Sequence, residues 1–374
     1  MILFLWLLAL FGGTASQTCR PLACLESGTC YQGALNSTSS GVQYAAFQGI
    51  RYAEAPIGKL RFKPPQPLTD ASIGTIDVSQ ESTVMCLQQD GTGQEDCLLL
   101  NIYVPEKIFN DESGTKYPVM FWIYGGGFVI GDGTFFTYGP QPLMDKEEII
   151  LVTVNYRLGP FGFLSLGSEG AHGNNGLLDQ NLALQWVQQN IGNFRGDPDM
   201  VTIFGESAGS LSVALQVVSP MSRGLFQRAI MESGVVLGPT WHFIPPEEAS
   251  SSGTGMAANL GCTSIEDYLE CLQSKDVTEI LEGGVDGSRW MPTIDLAFLP
   301  ERPIDILEKG DFDHSIEVIL GSNAAEGLLW VSNSTDFEGC RKNFDTCGPI
   351  SLYWLKESEV TEQSTDQAKR YRST

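Results

Sequence analysis

The chain has 374 residues, 42% of them hydrophobic and 18% charged, a balance that excludes a disordered chain and suffices for a large core. Its 22 basic and 45 acidic residues give a formal charge of −23. So acidic a surface argues against nucleic acid and anionic membrane as partners; it reads first as a solubilising surface and second as weak steering of cationic ligands.

The chain opens "MILFLWLLALFGGTASQTC". An apolar run from Ile2 to Phe11 followed by small residues predicts a secretory signal peptide over residues 1–16, too short to span a bilayer and without the usual basic start. No later apolar run is long enough for a membrane helix, so no membrane span is expected. Residues 17–41 are rich in cysteine, serine and glycine. Then "VQYAAFQGIRYAEAP" alternates like an edge strand before a proline stop, and "LLLNIYVP" and "YPVMFWIYGGG" are strand runs ending in turn residues. "EIILVTVNYRLG" is a continuous β-branched run of the kind buried on both faces. "DQNLALQWVQQNIGNF" carries helical periodicity, "DMVTIFGES" is the next buried strand, and "AGSLSVALQVVSP" is a helix ended by Pro220. "QRAIMESG" and "SIEVILGSN" read as further short buried strands, and residues 246–290 as a helical, acidic lid or side layer. The C-terminal text, ending "KESEVTEQSTDQAKRYRST", does not read as a closing strand. Buried strands alternating with helices predict an α/β fold with an open, mostly parallel twisted sheet flanked by helices. No repeat, low-complexity block or linker divides the chain.

A secretory route makes the nine cysteines disulfide candidates. The gaps Cys86 to Cys97 and Cys262 to Cys271 suggest local loops, while Cys19, Cys24, Cys30, Cys340 and Cys347 are left without an assigned pairing, and the odd count leaves one thiol over. No Cys or His pair has zinc-site spacing with a histidine nearby, so no metal is expected. Sequons at Asn36 and Asn333 fit the same route.

Three short stretches carry chemistry. Gly205-Glu206-Ser207-Ala208-Gly209 fits G-x-S-x-G between a strand and a helix, the setting in which a serine is pushed into the open on a strained turn. The Ala208 N–H then sits at a helix N-terminus, aimed at a developing oxyanion. The "IYGGGF" stretch leaves the N–H groups of Gly126 and Gly127 free for the same task; alone it would read equally as a tight turn. In "ILGSNAAEGLLW", Glu326 lies just past a strand end, 326 − 207 = 119 residues after the serine. Either it orients a histidine, in the chain order serine, acid, histidine, or it only stabilises the first turn of a following helix.

With these residues in place, the chain resembles the type-B carboxylesterases, the cholinesterase-like α/β-hydrolases. "EDCLLLNIYVP" resembles one signature of that family, with Leu99 where the family usually has Tyr, Thr or Phe. "FRGDPDMVTIFGESAG" matches the nucleophile signature throughout, and "FQGIRYAEAPIGKLRFKPPQP", "VTVNYRLGPFGFLS" and "GLFQRAIMESG" follow the family too. The resemblance runs from about residue 42 to about residue 332, and it marks residues 17–374 as a partial catalytic domain. It implies Ser207 as nucleophile, Glu326 as acid, Gly126, Gly127 and Ala208 as oxyanion donors, and disulfides Cys86–Cys97 and Cys262–Cys271. It also places Glu206 beside the nucleophile, Ser233 behind the acid, and Trp241 either on the acyl side of the pocket or in the core. It implies a small-molecule ester as substrate and no cofactor. Where the family's oxyanion motif usually begins with histidine, this chain has Tyr124. The Cys86 to Cys97 stretch is short and lacks tryptophan, so the chain does not look like an acetylcholinesterase.

The expected third member is missing. The family's histidine lies about a hundred residues beyond the acid, but only 374 − 326 = 48 residues follow Glu326, none of them histidine. The three histidines present are His172, His242 and His314. His314 precedes the strand that leads to Glu326, and His242 is the nearest to a pocket loop. The expectation is therefore a secreted carboxylic ester hydrolase, C-terminally truncated, working through an acyl-enzyme. The alternative is a non-catalytic, cholinesterase-like binding or adhesion protein, or an inactive pseudoenzyme.

Overall fold

The apolar runs pair into one large sheet of eight strands: β1 (Ala34–Ser37), β2 (Gln43–Arg51), β3 (Leu99–Pro105), β4 (Tyr117–Ile123), β5 (Ile150–Val154), β6 (Gly196–Glu206), β7 (Arg228–Glu232) and β8 (Glu317–Gly321). The computed structural model describes residues 20–69, 73–168, 171–236, 243–284, 289–324 and 326. The signal segment 1–16, Cys19, Cys340, Cys347, Asn333, Trp241 and His242 lie outside the described residues.

The spatial order is β8-β7-β6-β4-β5-β3-β2-β1. Five strands, β5, β4, β6, β7 and β8, run parallel; β3, β2 and β1 pair antiparallel on the β5 side. Parallel strands need helices on their faces, and β5 is buried at all five positions, as a β-branched run predicts. Two expectations are corrected. The "VQYAAFQGIR" run is not an edge strand: β2 has partners on both sides, because the preceding "ALNS" adds β1 outside it. The "EVILG" strand is not buried: all five residues of β8 are exposed, with Val318, Ile319 and Leu320 at 46%, 63% and 61%. Among the described residues it pairs only with β7, and neither of its faces is covered.

Two helices matter most for the site. α1 (Asn175–Asn190) buries Leu177, Leu184, Trp186 and Val187. α2 (Ala208–Val218) follows β6 directly and packs on β6 and β7 with all eleven residues buried. Three further helices, α3 (Pro246–Asn259), α4 (Tyr268–Gln273) and α5 (Val277–Glu282), form the expected helical side layer over a second apolar cluster that includes Phe62, Leu87, Phe161, Met256, Leu272 and Ile280. Between the layers, Arg157 and Asp179 form a buried, two-pronged ion pair: Nε to Oδ2 at 2.8 Å and Nη2 to Oδ1 at 2.7 Å. Disulfides join Cys86–Cys97 and Cys262–Cys271, and also Cys24–Cys30, whose pairing the sequence left open. Among the described residues no helix is long and apolar enough to cross a membrane.

Candidate active site

The carboxyl ends of β4, β6, β7 and β8 lie side by side at one level. Gly205 is in register with Ile123 and Met231, and Glu206 with Glu232, which in turn faces Gly321. In open α/β sheets this rim is where ligands bind. The candidate residues Gly126 and Gly127 follow β4, Glu206, Ser207 and Ala208 end β6 and begin α2, Ser233 follows β7, and Glu326 lies beyond β8, all at this rim.

Ser207 is the hinge between β6 and α2. Its φ of 55° and ψ of −121° put a side-chain-bearing residue in a strained region that costs about 1–3 kcal/mol. The surroundings hold it there: the Ser207 N–H donates to the Glu232 carbonyl at 2.9 Å, and the Leu211 N–H donates to the Ser207 carbonyl at 2.9 Å. The motif glycines let the turn close. A Cβ on Gly209 would stand 2.1 Å from the Ile123 carbonyl oxygen, and one on Gly205 2.5 Å from the same atom. Ser207 itself stays half-buried and open to the rim.

The glycine loop after β4 presses against this turn. A Cβ on Gly125 would lie 3.2 Å from Ser207 Cβ and 2.6 Å from the Glu206 carbonyl oxygen. Gly126 and Gly127 have φ of 108° and 65°, and the loop closes through Val129 and Ile130 N–H groups on the Gly126 carbonyl, at 3.2 and 3.1 Å. The N–H groups of Gly126, Gly127 and Ala208 donate to no acceptor among the described residues. Ala208, as the first residue of α2, has no partner one turn back. Three unpaired donors around one serine are what a developing oxyanion needs.

Glu326 stands just beyond β8. Its Oε1 accepts from Ser233 Oγ at 2.5 Å and from the Asn323 N–H at 2.7 Å. The Ser233 hydroxyl, and then the Asn323 N–H, hold this carboxyl below the usual range. Ser233 is itself in the left-handed region, φ 58°, with its N–H on the Gly321 carbonyl at 2.8 Å. Ser233 thus stands directly behind Glu326. Glu206 behaves oppositely. Although mostly exposed, its Oε2 comes within 3.0 Å of where a Gly125 Cβ would stand, and local burial, followed by the charges of Glu326 and Glu232, raises its carboxyl.

Sequence reading missed three contributors. Tyr138 has its hydroxyl raised, by burial first and then by the nearby Glu206 charge. Ser210 Oγ donates to the Gly234 carbonyl at 2.5 Å, tying α2 to the turn after β7. Gln88 holds the closing residue of the glycine loop from both sides, accepting from the Gly131 N–H at 2.6 Å and donating to its carbonyl at 2.9 Å. Only Ser210, one position past the nucleophile motif, had a signal in the sequence; the other two are joined by tertiary contact.

Neither described histidine has a polar contact with Ser207 among the described residues. His172 is exposed on the hairpin formed by Ser165–Ser168 and Ala171–His172. His314 lies before β8, at the end opposite Glu326, with Nε2 against the Gly310 carbonyl at 3.0 Å and its ring against Phe312. Among the described residues neither histidine hydrogen-bonds Ser207 or Glu326. Asn36 sits half-exposed on β1.

A sequence profile of the Carboxylesterase family matches residues 25–371. A pyrethroid hydrolase of Rattus norvegicus is 43% identical over 311 residues, covering 78% of this chain and 52% of the relative. A carboxylic ester hydrolase of Bombus ignitus is 37% identical over 334 residues, covering 83% and 58%. An acetylcholinesterase of Electrophorus electricus is 39% identical over 315 residues, covering 76% and 48%. The chain thus spans about half the length of the curated relatives it matches.

Proposed function

The chain belongs to the carboxylesterase family, and on that premise we propose that it is the Ser207-bearing part of a secreted carboxylic ester hydrolase. The observation that carries the reading is the strained Ser207 packed against the glycine loop, with the N–H groups of Gly126, Gly127 and Ala208 bonded to no acceptor among the described residues. In this reading Ser207 Oγ bonds to the ester carbonyl carbon, and the carbonyl oxygen takes the charge and rests on those donors. The Ser207 proton passes to a base or to solvent as that bond forms and is given to the departing alcohol as the tetrahedral centre collapses; water later releases the acid from the acyl-enzyme. Glu326, kept ionised by Ser233 and Asn323, is set to orient an imidazole and stabilise its charged form. We assign none of the three histidines to that role, and among the described residues no imidazole hydrogen-bonds Ser207 or Glu326. Three disulfides among the described residues support an oxidising compartment, as do the signal-like start and the Asn36 sequon.

A second reading is ester binding without turnover, favoured by the lack of an imidazole at Ser207 among the described residues. One experiment separates the two. The chain is mixed with p-nitrophenyl acetate; release of nitrophenolate and acetylation of the Ser207 peptide are followed together. Without its base the serine should acylate slowly and deacylate more slowly still, giving about one equivalent of nitrophenolate, and Ser207→Ala should abolish it. Equal release by wild type and Ser207→Ala, with no acetyl group on the serine, removes the hydrolase reading and leaves binding.

A further inference from the structure

Tyr124 is the residue immediately before the three glycines, and beneath it lies Tyr156, two residues past the end of β5. Both are fully buried, with rings stacked at 4.3 Å between centroids and 19° between planes. Their polar contacts are reciprocal. Tyr124 Oη donates to the Tyr156 carbonyl at 2.9 Å, and Tyr156 Oη donates to the Tyr124 carbonyl at 2.9 Å. The Tyr156 N–H also reaches Tyr124 Oη at 3.4 Å. The Tyr124 carbonyl belongs to the peptide that leads into Gly125, so the Tyr156 hydroxyl fixes the plane from which the glycine loop departs. At the other end of the loop, a Cβ on Gly131 would stand 2.6 Å from the Tyr124 ring and 2.6 Å from the Gly125 carbonyl oxygen. Entry and exit of the loop are therefore both gauged against one aromatic ring.

Tyr156 is anchored in turn. The carbonyl of its neighbour Asn155 accepts from Tyr52 Oη at 2.7 Å, and the Asn155 side chain accepts from the Gly133 N–H at 2.9 Å and donates to the Val84 carbonyl at 2.8 Å. On its other side, the Arg157 N–H donates to Asp179 at 3.0 Å, beside the buried ion pair. Three consecutive residues thus form a rigid strut under the loop. Burial pushes both tyrosine hydroxyls well above the ordinary phenol range, so they stay neutral donors wherever the fold persists.

We propose that Tyr124 and Tyr156 are positioning residues for the glycine loop, their paired hydrogen bonds setting how the Gly126 and Gly127 N–H groups face Ser207. The inference rests on the ester-cleaving reading above and assigns the pair a task in stabilising the tetrahedral oxyanion, not in holding the ester.

The test compares the full chain with Tyr156→Phe, which keeps the ring and removes one hydroxyl. Tyr124→Phe is the reciprocal variant should the first fail to fold. The probes are a phenethyl trifluoromethyl ketone, to which Ser207 Oγ adds with loss of its proton to solvent to give a hemiketal oxyanion, and the matching methyl ketone, which binds without that charge. Binding is read by fluorine and proton resonance, and loop order by amide hydrogen exchange at Val129 and Ile130. Tyr156→Phe should lower the preference for the trifluoromethyl ketone by at least about tenfold, the order expected when oxyanion donors are misaimed. It should leave the methyl ketone within about twofold, and speed exchange at Val129 and Ile130 about tenfold with Ile203 unchanged. A purely structural role would lower stability without moving the ratio of the two ketones. Unchanged exchange, or a preference retained in the variant while the wild type shows one, overturns the proposal. A wild type with no preference, matched by Ser207→Ala, removes the esterase reading and the catalytic role of the pair with it.

Discussion

Glu206 and Glu326 share the rim of the sheet with Ser207, yet their surroundings push them apart. Glu326 is held low by donors, Ser233 Oγ and the Asn323 N–H. Its contribution to stability is therefore present above the ordinary carboxyl value and is lost as pH falls through its lowered native value. Glu206 is raised, so the native state holds its proton more tightly than the unfolded chain does; its ionisation is a cost above its native value that disappears as pH falls. Glu206→Gln should accordingly raise the melting temperature at about pH 7, with the gain gone by about pH 4, near the unperturbed glutamate value. Ser233→Ala should lower it at about pH 7 and converge with wild type well below that value. Calorimetric scans of both variants across this range check the pair of signs, and a gain for Glu206→Gln that persists in acid contradicts the account.

At the scale of elements, the nucleophile turn depends on how closely α2 crosses the end of β4. That crossing is set by glycine, and the effect can be isolated. Gly209→Ala puts a methyl 2.1 Å from the Ile123 carbonyl oxygen, a backbone atom that cannot step aside. A loss of about 1–3 kcal/mol or more is expected from such overpacking. Gly321→Ala, on β8 with nothing within 4 Å of the new methyl, should stay within about 0.5 kcal/mol of wild type. Urea unfolding of the two variants measures the contrast; equal midpoints would show that the crossing is not close-packed. Most of these elements were legible in the sequence, because β-branched runs such as "ILVTV" and the G-x-S-x-G turn carry their own local chemistry. β8 was not: "EVILG" has the composition of a buried strand, and composition does not say whether a neighbour covers it.

On the scale of the whole molecule, long-range ties bring the glycine loop and the nucleophile turn together. The Cys86–Cys97 bridge encloses Gln88, which grips Gly131 on both of its peptide groups, so the bridge closes a loop that backs the glycine loop after β4. Closing a loop of this length is worth about 3 kcal/mol by chain entropy. The double variant Cys86→Ser/Cys97→Ser should lose about 2–3 kcal/mol in equilibrium unfolding. Its Val129 and Ile130 amides should also exchange faster, since Gly131 loses a fixed partner. A loss of stability with no change at those amides would make the bridge a general staple with no bearing on the site.

The sequence by itself determined the mostly parallel α/β architecture and the serine on its turn, and it marked Gly126, Gly127 and Glu326 as candidates, because each is written in a short stretch whose local backbone chemistry is nearly self-sufficient. Only the tertiary structure decided that Ser233 and Asn323 hold Glu326, that Glu206 and Glu326 are pushed apart, and that neither described histidine has a polar contact with the serine among the described residues. It also decided that Tyr124 meets Tyr156, that β2 lies inside the sheet, and that among the described residues β8 is uncovered on both faces. Those outcomes depend on contacts between residues tens to more than a hundred positions apart, and on which strand ends share a rim, which no local pattern encodes.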